Sequence, residues 1–335
     1  MNIDFVILWV DGGDEKWLAE KNRYSQKKAD YSSDVNRFRD FDNLQYWFRA
    51  VEKFAPWVNN IYFITWGHLP KWLNVNAPKL RIINHRDYMP EEYLPTFNSN
   101  AIELNLHRIP ELSEHFVLFN DDMFLLDYVE PEDFFIDGMP RDQMIESVIQ
   151  VSSKRYRIAH THVNNMEIIN EHFNKREMVK KHFTKMINPL YGKYTIKSLL
   201  LLPFRQYVGF RAHHLPQPHL KSTFETVWEA EFDALDATCR NKFRGLNDVS
   251  HWLMKNWNMC SNRFVPQSAK IGAVFNVAED NSRTVDYIVR QKGKMVCVND
   301  VVMIQGQDID FERAKEEIKC AFEKILPEKS SFELP

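Results

Sequence analysis

Two adjacent carboxylates interrupt an apolar run in FVLFNDDMFLL, residues 116–126: Asp121 and Asp122, preceded by Asn120. Such a pair can hold Mg2+ or Mn2+, hard cations that prefer oxygen ligands and share them with substrate phosphates. A nucleotide diphosphate would supply the remaining ligands. Asn-Asp-Asp is also ordinary turn chemistry. Context moves the reading toward a site. The triplet follows a strongly apolar run, another apolar run resumes at once, and a second carboxylate turn, Asp11 in WVDGGD, closes the first apolar run of the chain.

The elements that must position these groups read as strands alternating with helices. Runs at 3–10 (IDFVILWV), 60–65, 80–84 and 115–120 are nearly continuous in apolar residues, the pattern of strands buried on both faces of a parallel sheet. Between them, Leu44, Trp47, Phe48, Val51 and Phe54 recur at helical spacing, and residues 98–108 predict a further helix with Ile102 and Leu106 on one face. The expectation is an α/β fold with a mostly parallel sheet flanked by helices. Ligands of such sheets bind beyond the carboxyl ends of the strands, where Asp11 and the Asp121–Asp122 pair would meet. Beyond residue 150 the texture turns helical: a basic stretch at 166–187, then helical spacing at 222–239 and 309–325. Strands return near 285–289 and 294–299, and the tail EKSSFELP is expected to be loosely ordered. The provisional division is 1–150 as the first part of the sheet core, 151–210 as a helical insertion, and 211–335 as the remainder with a C-terminal helix.

Other polar groups compete for a place in the site. In LPTFNSNAIE, Asn98, Ser99 or Asn100 caps the helix that follows; the same helix start could receive a phosphate or sugar hydroxyl, with Glu103 one turn inside. Arg37 and Arg39 are either surface arginines or phosphate partners. HHLPQPHLKS places His213, His214 and His219 in a Pro-rich segment whose spacing matches no structural zinc site; His219 stands out as a proton carrier. The four cysteines, at 239, 260, 297 and 320, form no CxxC pair and read as scattered thiols.

Composition narrows the rest. The 335 residues are 44% hydrophobic and 27% charged, enough for a sizeable core, and a net charge of −3 argues against nucleic acid as a partner. The N-terminal run carries Asp4 and lacks a basic leader, and no window approaches the length of a membrane span. A cytoplasmic protein is expected.

Together these residues resemble the Stealth family, which includes bacterial capsular-polysaccharide hexose-1-phosphate transferases and the eukaryotic N-acetylglucosamine-1-phosphotransferase of lysosomal enzymes. The resemblance rests on IDFVILWVDGGDEKW (3–17), on a long stretch from Arg37 to about Phe135, on LPQPHLKSTFE with RNKFRGLNDVSHW, and on VCVND (296–300). It implies a fold similar to GT-A glycosyltransferases and transfer of a sugar-1-phosphate from a UDP-sugar to a hydroxyl of an oligo- or polysaccharide, releasing UMP. By resemblance, Asp11, Glu103, Asp121, Asp122, His219 and Arg244 line the active centre, and Asn299 and Asp300 match the last motif. On this reading Asp122, with Asp121 or Asp11, holds Mg2+ or Mn2+. Arg244 faces the phosphoryl oxygens, His219 or Asp121 takes the acceptor proton, and Trp9 and Asp11 help hold the nucleotide. The rivals are a metal-dependent glycosyltransferase releasing UDP and a non-catalytic polysaccharide-binding protein. The basic stretch 166–187 is either a solvated helix face or a surface for an anionic polymer or the inner membrane, where export machinery would sit.

Overall fold

A computed structural model describes residues 1–25, 41–151, 157–300 and 310–335. Its strands are β1 (Ile3–Leu8), β2 (Ile61–Thr65), β3 (Leu80–Asn84), β4 (His115–Phe119), β5 (Met123–Leu125), β6 (Phe135–Ile136), β7 (Met139–Asp142), β8 (Gln217–Leu220), β9 (Val265–Pro266), β10 (Gly272–Asn276) and β11 (Met295–Asn299). Its helices are α1 (Glu15–Tyr24), α2 (Leu44–Phe54), α3 (Ser99–Leu104), α4 (Arg157–His172), α5 (Lys175–Met186), α6 (Thr195–Leu201), α7 (Lys221–Ala230), α8 (Phe232–Arg240), α9 (Trp252–Cys260), α10 (Ser282–Val289) and α11 (Phe311–Ile325).

The main sheet runs β3-β2-β1-β4-β8. Its first four strands are parallel, and β8 is antiparallel to β4. Apolar continuity in β1 follows from burial on both faces. Phe5 and Ile7 enter one core with Trp47, Phe48 and Phe119, while Val6 enters the other with Tyr62, Phe116 and Phe224. Each such side chain contributes about 1.5–3 kcal/mol of burial. One polar residue breaks the run for a structural reason. Asp4, fully buried, accepts hydrogen bonds from Asn59 Nδ2 (2.8 Å), Asn60 N (3.0 Å) and Ser113 N (2.8 Å). Those groups lie just ahead of β2 and β4, so one carboxylate ties the amino ends of three strands. With that register, Ile7 pairs with Phe119, and Asp11 and Asp122 emerge beyond the same edge.

The second half completes what the first begins. β8 joins the main sheet, and β11 pairs antiparallel with β5. Pro218 is tolerated because β8 is the edge strand of the sheet, with no partner on its far side among the described residues. Several expected elements differ. Residues 285–289 belong to helix α10, not a strand. The helix predicted over 98–108 stops at Leu104, where Asn105 Nδ2 donates to Ala101 O, and a 3-10 turn follows. Within 166–187, Asn174 caps a new helix by accepting from Arg176 N and Glu177 N, which divides α4 from α5. The tail is pinned rather than loose: Arg49 grips the Glu333 carboxylate at 2.8 and 2.9 Å, and Phe332 is buried. Among the described residues, no helix is long and apolar enough to cross a membrane.

Burial also sets the acid response. It disfavours the imidazolium form of His85, His107, His162 and His213 and pushes each from 6.5 down to about 4. These groups bind protons more tightly once unfolded, so their contribution to stability is complete above 6.5 and is lost as pH falls toward 4. Thermal unfolding at stepped pH is therefore expected to show Tm dropping across that window. A Tm that stays level down to pH 4 contradicts the neutral, buried assignment.

Candidate active site

The turn Asn120–Met123, closed by Met123 N donating to Asn120 O (3.1 Å), lets the chain leave the main sheet at β4 and enter β5. Asp122 sits at this departure. Its backbone carbonyl accepts from Val298 N (2.9 Å), which fixes β11 beside it. Its carboxylate is held from two sides at one oxygen: His214 Nε2 lies 3.2 Å and Cys297 Sγ 3.3 Å from Oδ2. The three donor atoms lie within 4.8 Å of one another. The other oxygen, Oδ1, is buried and has no hydrogen-bond partner among the described residues. Asp121, next in line, is exposed. Burial, then the Asp122 charge, pushes the Cys297 thiol well up, so it stays protonated and donates. Burial acts against the His214 imidazolium, yet Asp122, with Glu103 adding to it, raises His214 above its ordinary value.

His214 is aimed by its neighbour. In this segment the two histidines face opposite ways. His213, 4% exposed, bonds Lys255 Nζ (2.7 Å) and Asp142 Oδ1 (3.2 Å), and Lys255 lies 3.0 Å from the same oxygen. Burial opposes the Asp142 charge, but Lys255 and His213 outweigh it and hold the carboxyl down at about 2. A second buried chain runs from Glu103 Oε2 to His251 Nδ1 (2.7 Å) and from His251 Nε2 to Gln217 Oε1 (3.1 Å). Burial works against Glu103 as an anion, but His251, with Arg244 and His214 nearby, keeps it below its usual value. Arg244 is fixed by donation to Ser99 Oγ at the start of α3.

The structure thus brings Asp121, Asp122, Glu103 and Arg244 to one region, and β11 ends there with Asn299, just ahead of Asp300. Cys297 pairs with Met123 across the β11–β5 ladder, so Val298 and Asn299 run alongside the aspartate pair. Trp9 is buried, with its ring edge-on to His68. Asp11 N donates to His68 Nε2 (2.8 Å), and Asp11 Oδ1 accepts from Gly13 N (2.8 Å), which shapes the turn after β1. Arg37 and Arg39 lie outside the described residues.

Three expectations need correcting. His219 is not at this edge. It is the third residue of β8 and pairs with Phe116 inside the sheet. It is fully buried against Phe116 and Phe224, both ring nitrogens lack hydrogen-bond partners among the described residues, and burial drives its basicity far down. A proton acceptor needs access to its donor, so the strand-edge histidine is His214 instead. Asn98 is also fully buried. Its Oδ1 caps α3 through Asn100 N and its Nδ2 donates to Asp248 Oδ2 (2.8 Å), so it is a structural cap; Asn100 too is buried. Glu103 faces His251 rather than an open cleft. The sequence reading missed His251 and Gln217, whose partners lie 148 and 34 residues away. Cys297 was visible only as a thiol inside VCVND.

Beside this edge, beyond the ends of β2 and β3, a cavity of about 520 Å³ opens between Trp66, Asn84, His85, Arg86, Leu94 and Thr96. Its size lies within the usual range of small-molecule sites.

A mostly parallel α/β sheet with convergent acidic, basic and imidazole groups at its carboxyl edge has the form of an enzyme site, and the similar proteins are polysaccharide phosphotransferases by name: this is a transferase of the phosphotransferase class. Residues 1–29 match Stealth protein conserved region 1 and residues 37–142 match conserved region 2. Capsular polysaccharide phosphotransferase WcwK of Streptococcus pneumoniae is 44% identical over 335 residues, covering 99% of each chain. Exopolysaccharide phosphotransferase cps2G of Lactiplantibacillus plantarum is 40% identical, covering 99% of this chain and 96% of its own. Receptor polysaccharide phosphotransferase WefC of Streptococcus oralis is 40% identical over 99% of each. The chain belongs to the Stealth family.

The two imidazole pairs separate by experiment. Glu103→Ala leaves His251 Nδ1 buried without its carboxylate partner and is expected to lower stability by about 3 kcal/mol in urea unfolding. His214→Gln, at a part-exposed edge, is expected to change stability by less than about 1 kcal/mol while transfer falls about a hundredfold or more. Equal stability losses in the two variants contradict the division of roles.

Proposed function

We propose that the protein transfers a sugar-1-phosphate from a UDP-sugar to a hydroxyl of an oligo- or polysaccharide acceptor, forming a phosphodiester and releasing UMP. The observation that carries this reading is the Asp122 carboxylate, held at Oδ2 by His214 and Cys297, with Oδ1 buried and without a hydrogen-bond partner among the described residues. The names of the similar proteins support the phosphotransfer and the polysaccharide.

The donor set is compatible with a hard divalent cation. Oδ1 of Asp122 is a carboxylate oxygen awaiting a partner, Asp121 stands beside it, and Mg2+ commonly takes one or two carboxylates plus substrate phosphates. The nitrogen of His214 and the sulfur of Cys297 suit Mg2+ poorly, but both address Oδ2, where they fix the carboxylate's rotation. Mg2+ or Mn2+, bound there, would neutralise diphosphate charge and favour departure of UMP.

The chain's own groups do the rest. Trp66 and the polar groups of Asn84 and Arg86 receive the uridine end, with Trp9 and Asp11 at the neighbouring strand end. Arg244, locked by Ser99, faces the phosphoryl oxygens, where planar guanidinium geometry matches developing charge. His214 donates through Nε2–H to Asp122 and keeps the Nδ1 lone pair for the acceptor proton. Asp122 stabilises the imidazolium that forms, an arrangement analogous to the carboxylate behind a catalytic histidine. The acceptor oxygen attacks the β-phosphorus, the phosphoanhydride bond breaks, and the sugar C1–O bond is untouched.

Incubation with UDP-sugars, a divalent cation and capsule oligosaccharides, followed by nucleotide chromatography and 31P NMR, tests this. UMP and a phosphodiester resonance are expected, with the donor's anomeric configuration kept. Release of UDP would assign an ordinary glycosyl transfer and refute the reading.

A further inference from the structure

Away from the site, one short helix presents the wrong face to water. In α6, Ile196, Leu199 and Leu200 stand at i, i+3 and i+4 and so share a face. They are 61%, 44% and 72% exposed, and Phe204, just beyond the helix, is 53% exposed. Of the eighteen large apolar side chains exposed among the described residues, six fall between residues 183 and 204. Scattered exposed apolar residues need no explanation, but a contiguous group marks an interaction surface.

The exposure is not looseness. Opposite the apolar face, Ser198 is fully buried, and its Oγ accepts from Glu146 N (3.0 Å). Lys175 Nζ, itself buried, donates to Leu201 O (2.6 Å) and Glu146 Oε1 (2.7 Å). A buried ion pair therefore clamps the inner side of α6 and holds the outer side out.

What surrounds the patch identifies its occupant. Residues 175–205 contain eight Lys or Arg and one acid, Glu177, in a chain whose net charge is −3. Lys180, Lys181, Lys193, Lys197 and Arg205 are exposed, and Glu177 is spent on Lys181 at 3.1 Å. A two-fold pairing of this face with a second copy would set those cations against their own kind. An apolar ridge flanked along the chain by Lys193, Lys197 and Arg205 fits an anionic bilayer, where apolar side chains enter the headgroup boundary and cations meet lipid phosphates. We propose that α6 and Phe204 form a peripheral docking surface for an anionic lipid bilayer.

Flotation of the full chain with phosphatidylcholine vesicles, with and without phosphatidylglycerol, tests it. The protein is expected to float with the anionic vesicles, weakly or not at all with the neutral ones, and less as salt rises. Leu200→Glu with Phe204→Glu is expected to reduce binding about tenfold or more, as is Lys193→Glu with Lys197→Glu. All four positions are exposed, so Tm and transfer to a water-soluble acceptor should not change; Ile196→Gln offers a milder check should either pair lose its fold. Absent flotation, equal flotation on neutral vesicles, undiminished binding by Leu200→Glu with Phe204→Glu, or a concentration-dependent dimer that this pair disperses would each overturn the proposal. No donor or acceptor is present in the flotation assay, so its failure and failure of the proposed transfer are read separately.

Discussion

The site depends on one carboxylate gripped on one side only. Asp122 stands where the chain leaves the main sheet for β5, and His214, from the segment leading into β8, and Cys297, from β11, both reach Oδ2. Three parts of the chain, separated by roughly ninety residues each, converge on that oxygen. Two contacts on Oδ2 fix the plane of the group, and Oδ1 is left as a directed, desolvated acceptor. Leaving such an atom without a partner costs about 1–3 kcal/mol, an expense that well-packed proteins otherwise avoid. Unsatisfied polar atoms of this kind are expected where a ligand completes the set.

The grip works because the frame behind it is over-determined. Asp4 fixes the amino ends of β1, β2 and β4, which places Asp11 and Asp122 past the same edge. The buried Asp142–Lys255–His213 cluster holds the residue before His214, and a tight turn in which Leu215 N donates to His213 O (3.0 Å) leaves His214 facing Asp122. Glu103, His251 and Gln217 link α3, the start of α9 and β8. Burial raises the stakes of each cluster: their partners hold the Asp142 and Glu103 carboxyls below their usual values, while burial drives His219 toward its neutral form.

Much of the frame was legible in the sequence because a strand buried on both faces writes itself as an apolar run. Ile3–Leu8, Ile61–Thr65, Leu80–Asn84 and His115–Phe119 were visible that way, and the aspartate pair was visible as the interruption. The choice among histidines was not. HHLPQPHLKS does not disclose where its strand begins, and its two prolines mimic a loop; only the β4–β8 register shows that His219 points into the core and His214 toward the edge. Segment 285–289 misled for the opposite reason, since short apolar runs do not distinguish strand from helix. Cys297, His251 and Lys255 act through partners dozens to hundreds of residues distant, and no local spacing encodes such meetings.

The most direct test of the central role of Asp122 is an isosteric change that removes its charge and keeps its shape. In single-turnover transfer with saturating donor and acceptor, Asp122→Asn is expected to lose about a thousandfold or more in rate, with its unfolding midpoint close to that of the parent. A variant that folds normally and turns over near the parent rate would contradict the account.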